Sequence, residues 1–310
     1  MLRSVSTAER DYEEKAIGSL LRAEAVSQKK TDDFRGAIEL YNVLEHKLTV
    51  LAGECYRIAG ENYDSASAYG KAAALSSQAM KDRTLAADLY TEAAHMMEKI
   101  DCNFANKYYH KAISQHCDAS QYNEAAKIEE RIGNNFCQKQ DFEASISHYQ
   151  RASKLYSAIE NVDGADRTLE RAGHNLAKVN RVQESTSTYQ SLAICQAKQH
   201  LKKLNVPKHM LRAGILLLSE SLHQTELDFS EVREMVETIS KIDCRFESSR
   251  EHKFLVDILQ CVVRGDLDKF VDNMFSYNCV SEFDDIMLFA LEKIKDIIVG
   301  RSKSQVADEK

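Results

Sequence analysis

Eight cysteines, ten histidines and the adjacent carboxylates Glu129-Glu130 and Asp284-Asp285 are the side chains whose chemistry could go beyond packing. Their spacing serves none of the reactions they suit. Cys55, Cys102, Cys117, Cys137, Cys195, Cys244, Cys261 and Cys279 form no CxxC pair, which argues against a zinc site or a disulfide framework and for reduced thiols in helix cores. The histidines form no HExxH and no cluster with Cys, Asp or Glu at ligand spacing, so no metal is expected. Adjacent carboxylates on a helix point about 100 degrees apart, which suits solvated faces better than an acid/base pair. By the same geometry His116 and Cys117 do not face each other. The 11 glycines are dispersed, with no GxxxxGK[ST] or GxGxxG to cradle a phosphate. Neither a cofactor nor an enzyme is expected.

The elements that carry these residues are helices. Among 310 residues there is one proline and no tryptophan, and 44% are hydrophobic, a composition that points to an all-α chain with ample core. Tyr69, Tyr109, Tyr149 and Tyr189 recur every 40 residues, in the contexts Tyr69-Gly-Lys-Ala, Tyr109-His-Lys-Ala, Tyr149-Gln-Arg-Ala and Tyr189-Gln-Ser-Leu. Ala93-Ala94, Ile132-Gly133 and Ala172-Gly173 recur at nearly the same interval, so each repeat holds two helices, with small residues where backbones approach. This predicts a TPR-like α-solenoid of antiparallel hairpins, a twisted helical sheet with a concave side, over 1–205. The helices are expected at 8–27, 33–47, 49–60, 63–80, 84–99, 103–119, 122–138, 142–159, 162–178 and 181–203. Pro207 is expected in the first turn of the next helix. A C-terminal helical bundle over 206–300 follows, with helices at 207–223, 229–242, 249–263, 266–276 and 282–299 and a flexible polar tail over 301–310. The segment Ile286 to Ile298 is apolar around most of its circumference and is expected to be largely buried.

The net charge of -7 is carried by residues 221–310, with 12 basic against 19 acidic, while residues 101–212 hold 16 basic against 12 acidic. A mildly basic middle followed by an acidic end suggests two different partners. A pI near 5.9 without a dense basic stripe argues against nucleic acid. No run of 18 apolar residues and no leader pattern is seen, so the expected setting is the cytoplasm.

The order of several segments resembles the soluble NSF attachment protein (SNAP, Sec17) family over about 290 residues. They are Lys111-Ala112-Ile113, Tyr122-Asn-Glu-Ala-Ala-Lys127, Ile146-Ser-His-Tyr149, Ser249-Arg-Glu-His-Lys-Phe-Leu255, Tyr277-Asn-Cys-Val-Ser-Glu-Phe-Asp284 and Leu288 to Ile298. The resemblance implies an adaptor that binds a four-helix, syntaxin-type SNARE bundle and recruits the hexameric AAA ATPase NSF. Its setting would be vesicle-mediated membrane fusion and intracellular protein transport, including ER-Golgi transport, with peripheral attachment to membranes. The alternative is a SNAP-like regulatory scaffold that binds SNAREs or other helical partners without stimulating NSF. By the same resemblance the SNARE-facing residues are Lys99, Lys127, Arg167, Arg171, Lys208 and Arg250, with Arg212 near the position of Lys208 and an uncharged Gln121 at another basic position. The family's membrane loop of paired phenylalanines is replaced by Val26-Ser-Gln-Lys-Lys-Thr-Asp-Asp-Phe34, which leaves Lys29 and Lys30 for membrane contact. The family's acidic NSF-binding cluster falls on Gln260, Val263 and Arg264, with Asp257, Asp266, Asp268 and Asp272 close by as substitutes. The family's penultimate leucine is absent from the end, Gln305-Val-Ala-Asp-Glu-Lys310.

Overall fold

A computed structural model describes residues 34–199, 202–221, 230–243 and 245–308. The chain is all-α, and no strand occurs among the described residues. Its helices are α1 (Phe34–Ala59), α2 (Asn62–Leu75), α3 (Arg83–Glu98), α4 (Cys102–Asp118), α5 (Tyr122–Gln138), α6 (Phe142–Ala158), α7 (Val162–Lys178), α8 (Val182–Ala197), α9 (Val206–Ser221), α10 (Ser230–Ile242), α11 (Arg250–Arg264), α12 (Leu267–Asn278) and α13 (Asp285–Asp308). Sequence-adjacent helices pack as pairs of the TPR-like solenoid kind. Pro207 lies in the first turn of α9, where its missing N–H has no helical partner to lose.

Three expected boundaries are corrected. The break near residue 48 is absent because nothing there interrupts a helix: Thr49 Oγ1 donates back to the carbonyls of Glu45 and His46 at 2.9 and 2.8 Å, and α1 runs through. The helix expected to reach 203 ends at Ala197. Helix α13 continues to Asp308, past the expected start of the tail, and accommodates Gly300 in its interior. The helix expected over 8–27, Lys29, Lys30 and Cys244 lie outside the described residues.

The hairpins end on a repeated backbone device. Gly60 takes a left-handed φ of 83 degrees, and Ser120, Gln140, Glu160 and Asn180, at twenty-residue intervals, take 60, 62, 57 and 61 degrees. The following N–H then reaches back five residues to a helix carbonyl, as in Gln121 to His116 (2.8 Å), Asn161 to Tyr156 (2.9 Å) and Arg181 to Leu176 (2.9 Å). Asp101, Asp141 and Asn161 then cap the next helix through their side chains.

The contacts divide the chain into two compact units, one ending at Ile132 and one beginning at Gly133. Within the first unit Tyr69 is buried against Gly53, where an added Cβ would lie 2.9 Å from its ring, and Ser65 Oγ donates to the Gly53 carbonyl at 2.8 Å. Ala93, Ala105 and Tyr109, all fully buried, occupy the same positions one repeat later.

Within the second unit Gly133, Ser145 and Tyr149 repeat the arrangement, with the Cβ clearance again 2.9 Å and the serine bond 2.8 Å. Gly173, Ser185 and Tyr189 follow, with 3.3 and 2.7 Å. The core of this unit passes without a gap from Tyr189 and Leu192 in α8 through Met210, Ile215 and Leu218 in α9 to Phe254, Phe270, Leu291 and Ile294, so packing is continuous across residues 205 and 206. One face of α13 is buried, through Ile286, Met287, Ala290, Leu291, Ile294 and Ile298. Leu288 and Phe289 on its other side are exposed, which corrects the expectation of burial around most of that helix.

Candidate partner-binding surfaces

In the first unit Lys99 caps the C-terminus of α3, exposed, its Nζ 3.9 Å from Met96 Sδ. Lys127 is the sixth residue of α5 and is exposed. It pairs with Glu124 one turn earlier at 2.7 Å, and that hydrogen bond holds the Glu124 carboxyl below its usual range. Arg131, also exposed, makes a two-pronged bond to Glu98, which joins α5 to α3.

In the second unit Arg167 is the sixth residue of α7, equivalent in its helix to Lys127 in α5, and lies 6.0 Å from the ring of Tyr156. Arg171, one turn on, is half-buried: its Nη1 donates to Asn134 Oδ1 at 2.8 Å, and Tyr149 Oη donates to the same oxygen at 2.7 Å. These groups line an open cleft of about 410 Å³ together with Cys137, Gln138, His174 and Asn175. Burial lowers the pKa of His174 although Asp285 lies 3.1 Å away. Lys208 is exposed on the first turn of α9, and Arg250 at the start of α11 reaches Ser281 Oγ at 3.0 Å and Glu251 at 3.6 Å.

Arg212, placed by sequence near the position of Lys208, is not a surface residue. It is 7% exposed and bonds Glu170 of α7 and Asp284 before α13, each at 2.6 Å, while its guanidinium stacks 5.6 Å from the ring of Tyr189. His209 Nδ1 lies 3.4 Å from Arg212 Nη1, and burial lowers its pKa to about 4. Asp284 also caps α13 through the N–H of Met287 at 2.9 Å, and Asp285 pairs with Lys178 at 2.9 Å. Both members of the adjacent pair Asp284-Asp285 thus hold partners, but Asp285 is exposed, as expected of a solvated face, while Asp284 is half-buried. Glu129 is buried as well, at 5% exposure.

Three of the aspartates that the sequence reading named for NSF binding differ in their local structure. Asp266 caps α12, accepting the N–H of Lys269 at 3.1 Å and pairing with its Nζ at 3.2 Å, and those bonds lower its pKa. Asp268 and Asp272 are exposed, as are Gln260, Val263 and Arg264 on α11. Of the cysteines described, only Cys261 is buried, with Cys195 and Cys279 exposed and the rest intermediate, so the expectation of helix-core thiols holds for Cys261 alone. No cluster of three metal-ligating side chains occurs among the described residues, and no described helix is long and apolar enough to cross a membrane.

Sequence reasoning missed the serine and Gly53 of the tyrosine interlock and the ion cluster around Arg212. The first was signalled by Ser65, Ser145 and Ser185 at the 40-residue interval; the second had no local signal.

The family model described as soluble NSF attachment protein, SNAP, matches residues 46–299. The alpha-soluble NSF attachment protein of Vitis vinifera is 24% identical over 250 residues, covering 81% of this chain and 84% of that relative. Its namesake in Homo sapiens is 21% identical over 291 residues, covering 93% and 96%. The probable vesicular-fusion protein sec17 homolog of Schizosaccharomyces pombe is 24% identical over 159 residues, 51% of this chain and 53% of that relative. The chain therefore belongs to the soluble NSF attachment protein, SNAP, family.

Proposed function

We propose that the chain is an adaptor, without catalysis of its own, that binds assembled four-helix SNARE bundles and recruits the hexameric ATPase NSF to take them apart in vesicle-mediated transport. The family match over residues 46–299 carries this reading. It is supported by the exposure of Lys99, Lys127, Arg167, Lys208 and Arg250, and by Arg171 held ready by Asn134. Each exposed ion pair contributes at most about 1 kcal/mol, so affinity for an acidic bundle comes from several acting together and falls with salt. The adaptor works in the cytoplasm, attached to membranes through its partners, and Asp268 and Asp272 are its exposed carboxylates for a basic ATPase domain. A SNAP-like regulator that binds SNAREs without stimulating the ATPase is the second reading, favoured by uncharged Gln260 and Val263 and cationic Arg264 where the family is acidic.

Binding to a pre-assembled syntaxin-type SNARE bundle tests the shared first step. Lys127→Glu with Arg167→Glu should weaken binding about tenfold or more, roughly 1.4 kcal/mol, and added salt should weaken it further. Lys29→Glu with Lys30→Glu should leave it unchanged. Equal losses from both pairs, or no binding by the unaltered chain, would contradict the proposal.

A further inference from the structure

Two exposed helix faces in different parts of the chain carry complementary side chains. On α4, Phe104, Lys107, Tyr108 and Lys111 fall at the i, i+3, i+4, i+7 spacing of a single face. Phe104 is 51% exposed, and Lys107 Nζ lies 4.6 Å from its ring centroid. Lys111 Nζ lies 5.8 Å from the Tyr108 ring, and Tyr108 itself lies against Gly70 of α2, where an added Cβ would come within 2.7 Å. Neither lysine makes an ion pair among the described residues, and α4 holds no carboxylate between Cys102 and Cys117. The aromatic rings hold the charges in place without neutralising them.

On α12, Asp268, Val271, Asp272 and Phe275 occupy the same spacing. Phe275 is 72% and Val271 43% exposed, and neither aspartate makes an ion pair among the described residues. Laid antiparallel, the two faces match at every position in one register. Phe104 meets Phe275, Lys107 meets Asp272, Tyr108 meets Val271 and Lys111 meets Asp268. Exposed Ile100 before α4 and Val280 after α12 prolong the apolar run at the same end.

We propose that α4 of one copy of this chain docks antiparallel on α12 of a second copy. The contact is heterologous, pairing two different faces, so each docked pair leaves one free α4 and one free α12 and can be extended by a third copy. One pair of faces about 10 Å long and about 10 Å wide covers on the order of 100 Å², far below the roughly 800 Å² per partner of a stable interface, so the association is weak in free solution. It becomes effective where copies are held together, as on one shared partner, at local concentrations in the millimolar range.

The test is sedimentation equilibrium of the purified full chain, without SNAREs or ATPase, from about 10 μM to about 1 mM, a range suited to so small an interface. The weight-average mass should rise with concentration at low salt and fall back toward the monomer at about 1 M salt, where the Debye length is about 3 Å. Lys107→Asp with Lys111→Asp, and separately Asp268→Lys with Asp272→Lys, should each weaken self-association at least tenfold by placing like charges face to face. An equimolar mixture of the two double variants should associate again, because each supplies the face the other lacks. All four substitution sites are exposed, and circular dichroism confirms that each variant folds. A chain that stays monomeric up to 1 mM would overturn the proposal. So would a variant that self-associates like the parent, or a mixture that remains monomeric.

Discussion

In the hairpins each repeat tyrosine closes on a small residue earlier in the same hairpin, whereas Arg212 in α9 closes on Glu170 and Asp284, 42 and 72 positions away. The first contact needs only a close backbone approach and one serine hydroxyl. The second buries a permanent charge that depends on two distant carboxylates arriving together. The difference shows how each region ends: a hairpin is finished by its own repeat, while the C-terminal helices are fixed to α7 and α9 by ions.

The contrast is broken most severely at Arg212. Replacing it with alanine leaves Glu170 and Asp284 without their cation, and the cost should be about 3–5 kcal/mol in urea unfolding. A loss below about 1 kcal/mol would mean that the aliphatic core alone seats α13.

The hairpin interlock should respond next. Gly133→Val drives a branched side chain into the Tyr149 ring and should cost about 1–3 kcal/mol, whereas Ala93, already at that repeat position, should tolerate glycine with a loss near 1 kcal/mol. Equal effects at the two positions would show that the glycine clearance has no role in packing.

Acid sharpens the comparison. His209 is neutral in the folded chain, its pKa lowered by burial from 6.5 to about 4, so its contribution to stability is present above pH 6.5 and is lost as pH falls toward 4. The melting temperature should therefore drop between pH 7 and pH 5, and His209→Gln should flatten that drop. An unchanged slope in the variant would assign the acid sensitivity to other histidines whose pKa values are also lowered, such as His46 and His95.

The smallest effect belongs to the turns. Glu160 is exposed and left-handed at φ 57, where Gly60 serves the first hairpin, so Glu160→Gly should be neutral or stabilising by up to about 1 kcal/mol. A loss in thermal melts would show that its side chain, not its backbone, matters.

How far the sequence could be read follows the same division. The tyrosine period placed α3 to α7 closely because each hairpin repeats a local solution, and Tyr69, Tyr109, Tyr149 and Tyr189 are all buried. The exposed lysines and arginines of the candidate surface were legible through family resemblance, but Lys208, exposed, and Arg212, buried, stand one turn apart on one face of α9 and periodicity does not separate them. The partners of Arg212 were not legible, since no periodicity links residues 170, 212 and 284. Nor was the role of Asp266, because a capping carboxylate and a docking carboxylate look alike until the helix start is known.

The most direct measurement is ATP-dependent disassembly of a pre-formed cognate SNARE bundle by the NSF of the same organism, with and without this chain. The adaptor account predicts disassembly only when the chain is present, and a lower rate when Lys127 and Arg167 are both reversed to glutamate. Disassembly that proceeds equally without the chain, or a chain that binds the bundle and leaves it intact, would contradict it.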